Sequence, residues 1–131
     1  MARLERWFHA AIEAAAECKA YPAYVPREAT VPFVHFARSS TEREHDMMGN
    51  IAAPLATLDV AVFAETYLGA KQLAERIRLA VDNFSGAVDG LTIEQTRLIN
   101  ERDGDPVFVT GEDVPTYVAE LTFDVRYIED I

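Results

Sequence analysis

Cysteine is almost absent: Cys18 is the only one in 131 residues, so no disulfide can close within the chain and nothing points to an oxidising compartment. Basic residues are scarce too, 12 against 22 acids, a formal charge of -10. That balance argues against an electrostatic grip on nucleic-acid phosphates or anionic lipid, both of which need clustered Lys and Arg. Long apolar runs are missing as well. The longest uncharged stretch, Met47 to Leu58, spans about a dozen residues and contains Gly49, Asn50 and Pro54, well short of the ~20 needed to cross a bilayer. Near the start, Arg3, Glu5, Arg6, Glu13 and Glu17 interrupt any stretch of signal-peptide quality. The expectation is a cytoplasmic protein with no membrane partner.

Catalytic signatures are equally thin. The six glycines form no phosphate-cradling motif, Ser85 lacks the frame of a nucleophile elbow, and Cys18 has no neighbouring His. His9, Glu13 and Glu17, spaced i, i+4, i+8, would stack along one helical face and are the one weak candidate for a metal; a solvated polar face is the favoured reading. Asp103-Gly104-Asp105 lacks the further oxygen ligands of a calcium loop and reads as a turn. No enzyme activity, cofactor or metal is expected.

What is present is enough apolar residue for one domain over 1–131, half of the chain by the broad count. Arg3 to Lys19 carries Leu4, Phe8, Ala11, Ile12 and Ala15 at helical spacing, and Pro22 and Pro26 then turn the chain into an extended connector. A strand over Val31 to Ser39 is apolar on both faces, Ser40 to Ala53 reads as a long polar hairpin loop, and Leu55 to Ala64 alternates as a second strand. Tyr67 to Ser85 is the second helix, with Thr66 as N-cap and Gly86 as the left-handed stop. Leu91 to Ile99 and Thr116 to Ile128 are the last two strands, joined by the acidic loop ERDGDPVFVTGEDVP. The pattern predicts an α+β fold of order α-β-β-α-β-β, two helices on one face of a four-stranded antiparallel sheet.

Two features stand out from that scaffold. Leu79 falls on the polar side of the second helix with Leu68, Gln72, Glu75, Arg76 and Asn83, so it is predicted to miss the core. With Met47 and Met48 of the long loop it is a candidate subunit contact. The charge is also uneven: Ala87 to Ile131 holds 11 acids and 3 bases. Glu120 and Asp124 alternate with core positions of the last strand and so belong on the sheet face away from the helices. Together with Glu129, Asp130 and the loop from Glu101 to Asp113, they are candidates for a lumen or docking surface.

The Tyr21-Pro22 step after the first helix, the segment LATLDVAVFAETYLGAKQLAERIRLAV and the closing YVAELTFDVRYIED resemble the phage tail-completion or tail-terminator proteins over nearly the whole chain. The resemblance implies a structural virion component at the head-to-tail interface, a ring, commonly of six subunits, that caps the tail tube and joins it to the head connector or stopper. DNA would pass through its lumen without specific binding. The partners implied are further copies of the chain, the tube protein and the connector. The rival reading from the residues alone is a small-ligand-binding or enzymatic α+β sandwich domain of unnamed substrate.

Overall fold

The computed structural model describes residues 3–43, 53–88, 90–108 and 114–129, with backbone alone at 129. The elements run α1 (Arg3–Ala16), β1 (Lys19–Pro22), β2 (Phe33–Glu42), β3 (Leu55–Ala64), α2 (Tyr67–Val81), β4 (Gly86–Val88), β5 (Leu91–Asp103) and β6 (Tyr117–Glu129). All six strands join one curled sheet of order β1-β2-β3-β6-β5-β4. Every neighbouring pair is antiparallel except β1 with β2, which is parallel. The expected four-stranded antiparallel sheet is therefore wrong: the sheet has six strands and is mixed.

Both extra strands arise where a helix ends earlier than its apolar rhythm suggests. α1 stops at Ala16, and Glu17 takes a left-handed turn at φ 56°. Residues 19 to 22 then lie along β2, and Pro22 is tolerated because β1 is an edge strand, with no further strand on its outer side to need the missing amide. α2 stops at Val81, and Asn83, at φ 64°, holds the left-handed position expected of Gly86. Gly86 instead opens β4. The N-cap is where the sequence places it, with Thr66 Oγ1 accepting from the Gly69 amide at 2.9 Å.

A single buried cluster is drawn from both helices and one face of the sheet. Its centre is Phe8, which meets Phe36 of β2 and Phe123 of β6 edge-on, with ring centroids 5.5 and 5.9 Å apart. Val34 and Phe36 settle the face ambiguity of β2, since both are fully buried. The same strand runs to Glu42, three residues into the stretch read as loop, and a bulge between Arg38 and Ser40 restores its register.

The edges of the sheet are closed by side chains. Glu13 accepts from the Ala20 amide at 3.0 Å, while His9 Nε2 contacts the Ala20 carbonyl at 2.9 Å. On the other side, Asp82 accepts from the Leu98 amide at 2.9 Å and the Asn83 amide donates to the Thr96 carbonyl at 2.8 Å. Edge groups left open would invite another strand. Glu13→Ala should strip the Ala20 amide of its acceptor and cost about 1–2 kcal/mol. Urea denaturation reads that loss, and native-state hydrogen exchange should show β1 opening ahead of β2.

Candidate functional site

The residues read as metal candidates have other work. His9 and Glu13, 3.2 Å apart, both turn to the backbone of β1, and Glu17 lies beyond the helix end. Among the described residues no group of three or more His, Cys, Asp or Glu could hold an ion. Burial first, and the Glu13 charge second, push the Cys18 thiol up from its ordinary value, which leaves it a poor nucleophile at neutral pH. No helix among the described residues is long and apolar enough to cross a membrane.

The face of the sheet away from the helices is the larger functional candidate. Registry arranges it in rows, His35–Ala61–Glu120–Arg102, then Ala37–Asp59–Thr122–Asn100, then Ser40–Thr57–Asp124–Arg97, then Glu42–Leu55–Arg126–Gln95. Glu120 and Asp124 lie on that face, half-buried. Glu120 pairs with Arg102, Asp124 accepts from Thr57 Oγ1 at 2.9 Å, and Asp59 accepts from Thr122 Oγ1 at 3.0 Å. Arg97, Arg102 and Arg126 are all the bases that the C-terminal third possesses, and all three sit in these rows beside Glu42, Asp59, Glu120 and Asp124. The face is thus close to neutral. The described acids outside these rows, Glu94, Glu101, Asp103 and Asp105, are exposed along β5 and beyond its end, and of them Asp103 is paired with Lys71 of α2.

A second candidate is the crest of α2. Leu79 is 68% exposed and Leu68 66%. They are eleven positions apart, three helical turns and about 16 Å along one stripe, with Gln72 and Arg76 between them. Met47 and Met48 lie outside the described residues.

The third is the root and shoulder of the β5–β6 hairpin. Asp103 accepts from Lys71 Nζ and from the Tyr67 hydroxyl, both at 2.7 Å, which ties the end of β5 to the first turns of α2. The lysine contact first, and the tyrosine contact second, hold the Asp103 carboxyl below its ordinary value; the same bonds raise Lys71 and Tyr67. Gly104 follows because nothing larger fits, a Cβ there lying 2.9 Å from Val118 Cγ1. Past it, Val107, Phe108 and Val114 are exposed. The sequence held the signal for these three, an apolar VFV and a lone valine inside an acidic loop, but a loop with no partner in view gives no reason to single them out.

The described depressions are open and polar-rimmed. One of about 460 Å³ runs between α2 and the β5–β6 pair, with Lys71, Glu75, Arg78, Glu101 and Arg102 around Ala74 and Ala119. Another of about 340 Å³ lies beside the start of α2, where Val31, Pro32, Ala64 and Leu73 form its apolar part. Acids and bases both occur on each rim, Lys71, Glu75, Arg78, Glu101 and Arg102 on the first and Glu65 and Arg76 on the second, the mixture found at the polar rim of contact surfaces.

No family model matches the chain, and no curated protein does. Among solved structures, a chain of the "Virion of native gene transfer agent (GTA) particle" superposes with a TM-score of 0.65. It is 14% identical, and the alignment covers 88% of this chain and 83% of that one. The two share a fold.

Proposed function

We propose that the chain is a structural component of a phage-like particle. It forms a ring, of six subunits by the family resemblance, that ends the tail tube and joins it to the head connector, with DNA passing through the lumen and no catalytic role for the chain. The observation that carries this reading is the fold shared with a chain of the gene transfer agent virion across 88% of the residues. Two exposed leucines on one stripe of α2 add to it, because a chain that works alone gains nothing by holding them in water. In this reading Leu68 and Leu79 lie in the contact between subunits. The near-neutral outer face with Glu120 and Asp124 docks the neighbouring virion protein, since its interleaved arginines and carboxylates favour registry over repulsion of DNA.

Negative-stain microscopy of the purified chain tests the reading: rings with a central channel are expected, alone or on added tail tubes, and a chain that stays monomeric under both conditions overturns it. Leu79→Asp refines the result. A substitution on an exposed helix surface should move stability by no more than about 0.5 kcal/mol, so the variant should melt like the parent while rings disappear. Normal rings from Leu79→Asp would remove α2 from the contact.

A further inference from the structure

A head-to-tail ring needs two different patches on each subunit, and the α2 stripe supplies one. The other is not assigned by the fold likeness. We propose that the shoulder of the β5–β6 hairpin, carrying Val107, Phe108 and Val114, seats in the apolar groove beside α2 on the next copy of the chain; the contact rests on the ring reading above.

The shoulder is braced at its root. Val107 and Thr116 exchange both backbone hydrogen bonds, at 2.9 and 2.7 Å, and Pro106 and Pro115 flank them. Below, the Gly104 amide bonds to the Val118 carbonyl at 2.9 Å, and Asp103 is tied to α2 by Tyr67 and Lys71. On this fixed base Phe108 stands 64% exposed and Val114 63%. Three apolar side chains held in water on a braced arm is the pattern of a surface awaiting cover.

The groove matches it in chemistry and in place. Val31 and Pro32 offer apolar surface over the buried Ala64 and Leu73 in a depression of about 340 Å³, room for an aromatic ring and a branched neighbour. Arg76 and Glu65 also line it. No base occurs between Arg102 and Arg126, and Asp103 is already held by Lys71 and Tyr67, so the shoulder arrives with the exposed Asp105 beside it and Arg76 is the cation that receives it. Glu65 opposes that attraction, which leaves apolar fit as the main term.

Placement favours another copy over the same one. Ala64 pairs with Tyr117, Phe33 with Phe63, and Asp103 with Ala119, so the groove and the arm emerge at the same end of the sheet. The arm rises from the β5–β6 side and the groove opens on the β2–β3 side, and within one chain both stand uncovered. Two unlike patches at one level, displaced sideways, repeat by rotation without climbing, which is the condition for a closed ring rather than a filament. The groove wall also includes Gln72 and Arg76, the residues between Leu68 and Leu79, so the arm and the α2 stripe would bury one continuous surface.

Complementation between two defective copies tests this. Phe108→Asp spoils the arm and Val31→Asp the groove; Arg76→Glu serves as a second groove variant should Val31→Asp fold poorly by circular dichroism. Each variant alone is expected to sediment as a monomer. Mixed in equal amounts, they should form a one-to-one heterodimer and nothing larger, because each pair retains one intact arm and one intact groove. In a Cys18→Ala chain, Phe108→Cys with Val31→Cys should give an oxidised ladder that ends at the ring. If the parent forms rings and the Phe108→Asp and groove variants do too, the contact is wrong and the ring stands. A parent that never assembles overturns both, and a mixture that stays monomeric while the parent makes rings overturns the arm-in-groove pairing.

Discussion

Phe8→Ala should cost the fold about 4 kcal/mol and lower its melting temperature by about 12 °C. Phe8 is fully buried and is the side chain by which α1 meets the sheet, edge-on against Phe36 and Phe123 and beside Trp7 at a centroid distance of 5.8 Å. Removing it forfeits the transfer of a whole aromatic ring and opens a cavity under three elements that cannot all collapse into it. The loss is a large share of the 5–15 kcal/mol that holds an ordinary domain together. Phe108→Ala is the control, the same chemical change on a ring 64% exposed, and should stay within about 0.5 kcal/mol. Chemical denaturation of the two variants decides it: a Phe8→Ala loss below about 1 kcal/mol would mean that α1 is not docked where the core requires it.

Local rules made the long elements legible. The apolar rhythm of α2, the alternation of β6 and the Thr66 cap each depend on neighbours within a few residues; the cap and the alternation are found where the sequence places them, and α2 starts as expected at Tyr67 but stops at Val81, short of Ser85. The two short strands were not legible, for a shared reason. β1 is four residues with a proline, and β4 is three residues beginning with glycine, so neither has a period to detect. Each exists because a partner strand lies ready and a side chain from elsewhere secures the edge beside it, Glu13 at Ala20 and Asp82 at Leu98. Those contacts join residues 7 and 16 positions apart and have no signature in composition.

The candidate surfaces divide along the same line. Leu79 was legible because a helical wheel is a local calculation, and it is exposed as that wheel requires. The charge on the outer sheet face was only half legible. Alternation along β6 puts Glu120 and Asp124 outward, but their neighbours across the strand are set by the β5–β6 registry, with two bulges in it, one between Ile93 and Gln95 and one between Leu98 and Asn100. Those bulges bring Arg97 opposite Asp124 and Arg102 opposite Glu120. Summed by segment, the C-terminal third is strongly acidic; summed by face, the sheet is nearly neutral and the acid collects along the exposed side and end of β5.

Arg38→Leu should cost about 3 kcal/mol, and Glu5→Leu made in the same chain should recover much of it. Arg38 lies on the core side of β2, where its guanidinium pairs with Glu5 of α1 and donates to Thr41 Oγ1 and to the Tyr127 hydroxyl, each at 3.1 Å. The two charged side chains are only 21% and 18% exposed, and Tyr127 is fully buried with its ring 5.7 Å from the guanidinium carbon. Taking away the arginine alone leaves a mostly buried carboxylate with its ion-pair partner gone and a buried hydroxyl short of one donor, and it is this uncompensated polarity that sets the size of the loss. Removing the carboxylate as well deletes the larger part of that penalty and substitutes apolar contact between α1 and β2, so the double variant should be more stable than Arg38→Leu even though it has lost one more native side chain. Arg38→Lys keeps the charge but not the fork that reaches Glu5, Thr41 and Tyr127 together, and should fall between parent and leucine. Melting curves of the parent, Arg38→Leu, Glu5→Leu and the double variant form a thermodynamic cycle; additive losses would show that Glu5 and Arg38 meet only at the surface and that the α1–β2 junction depends on its apolar contacts alone.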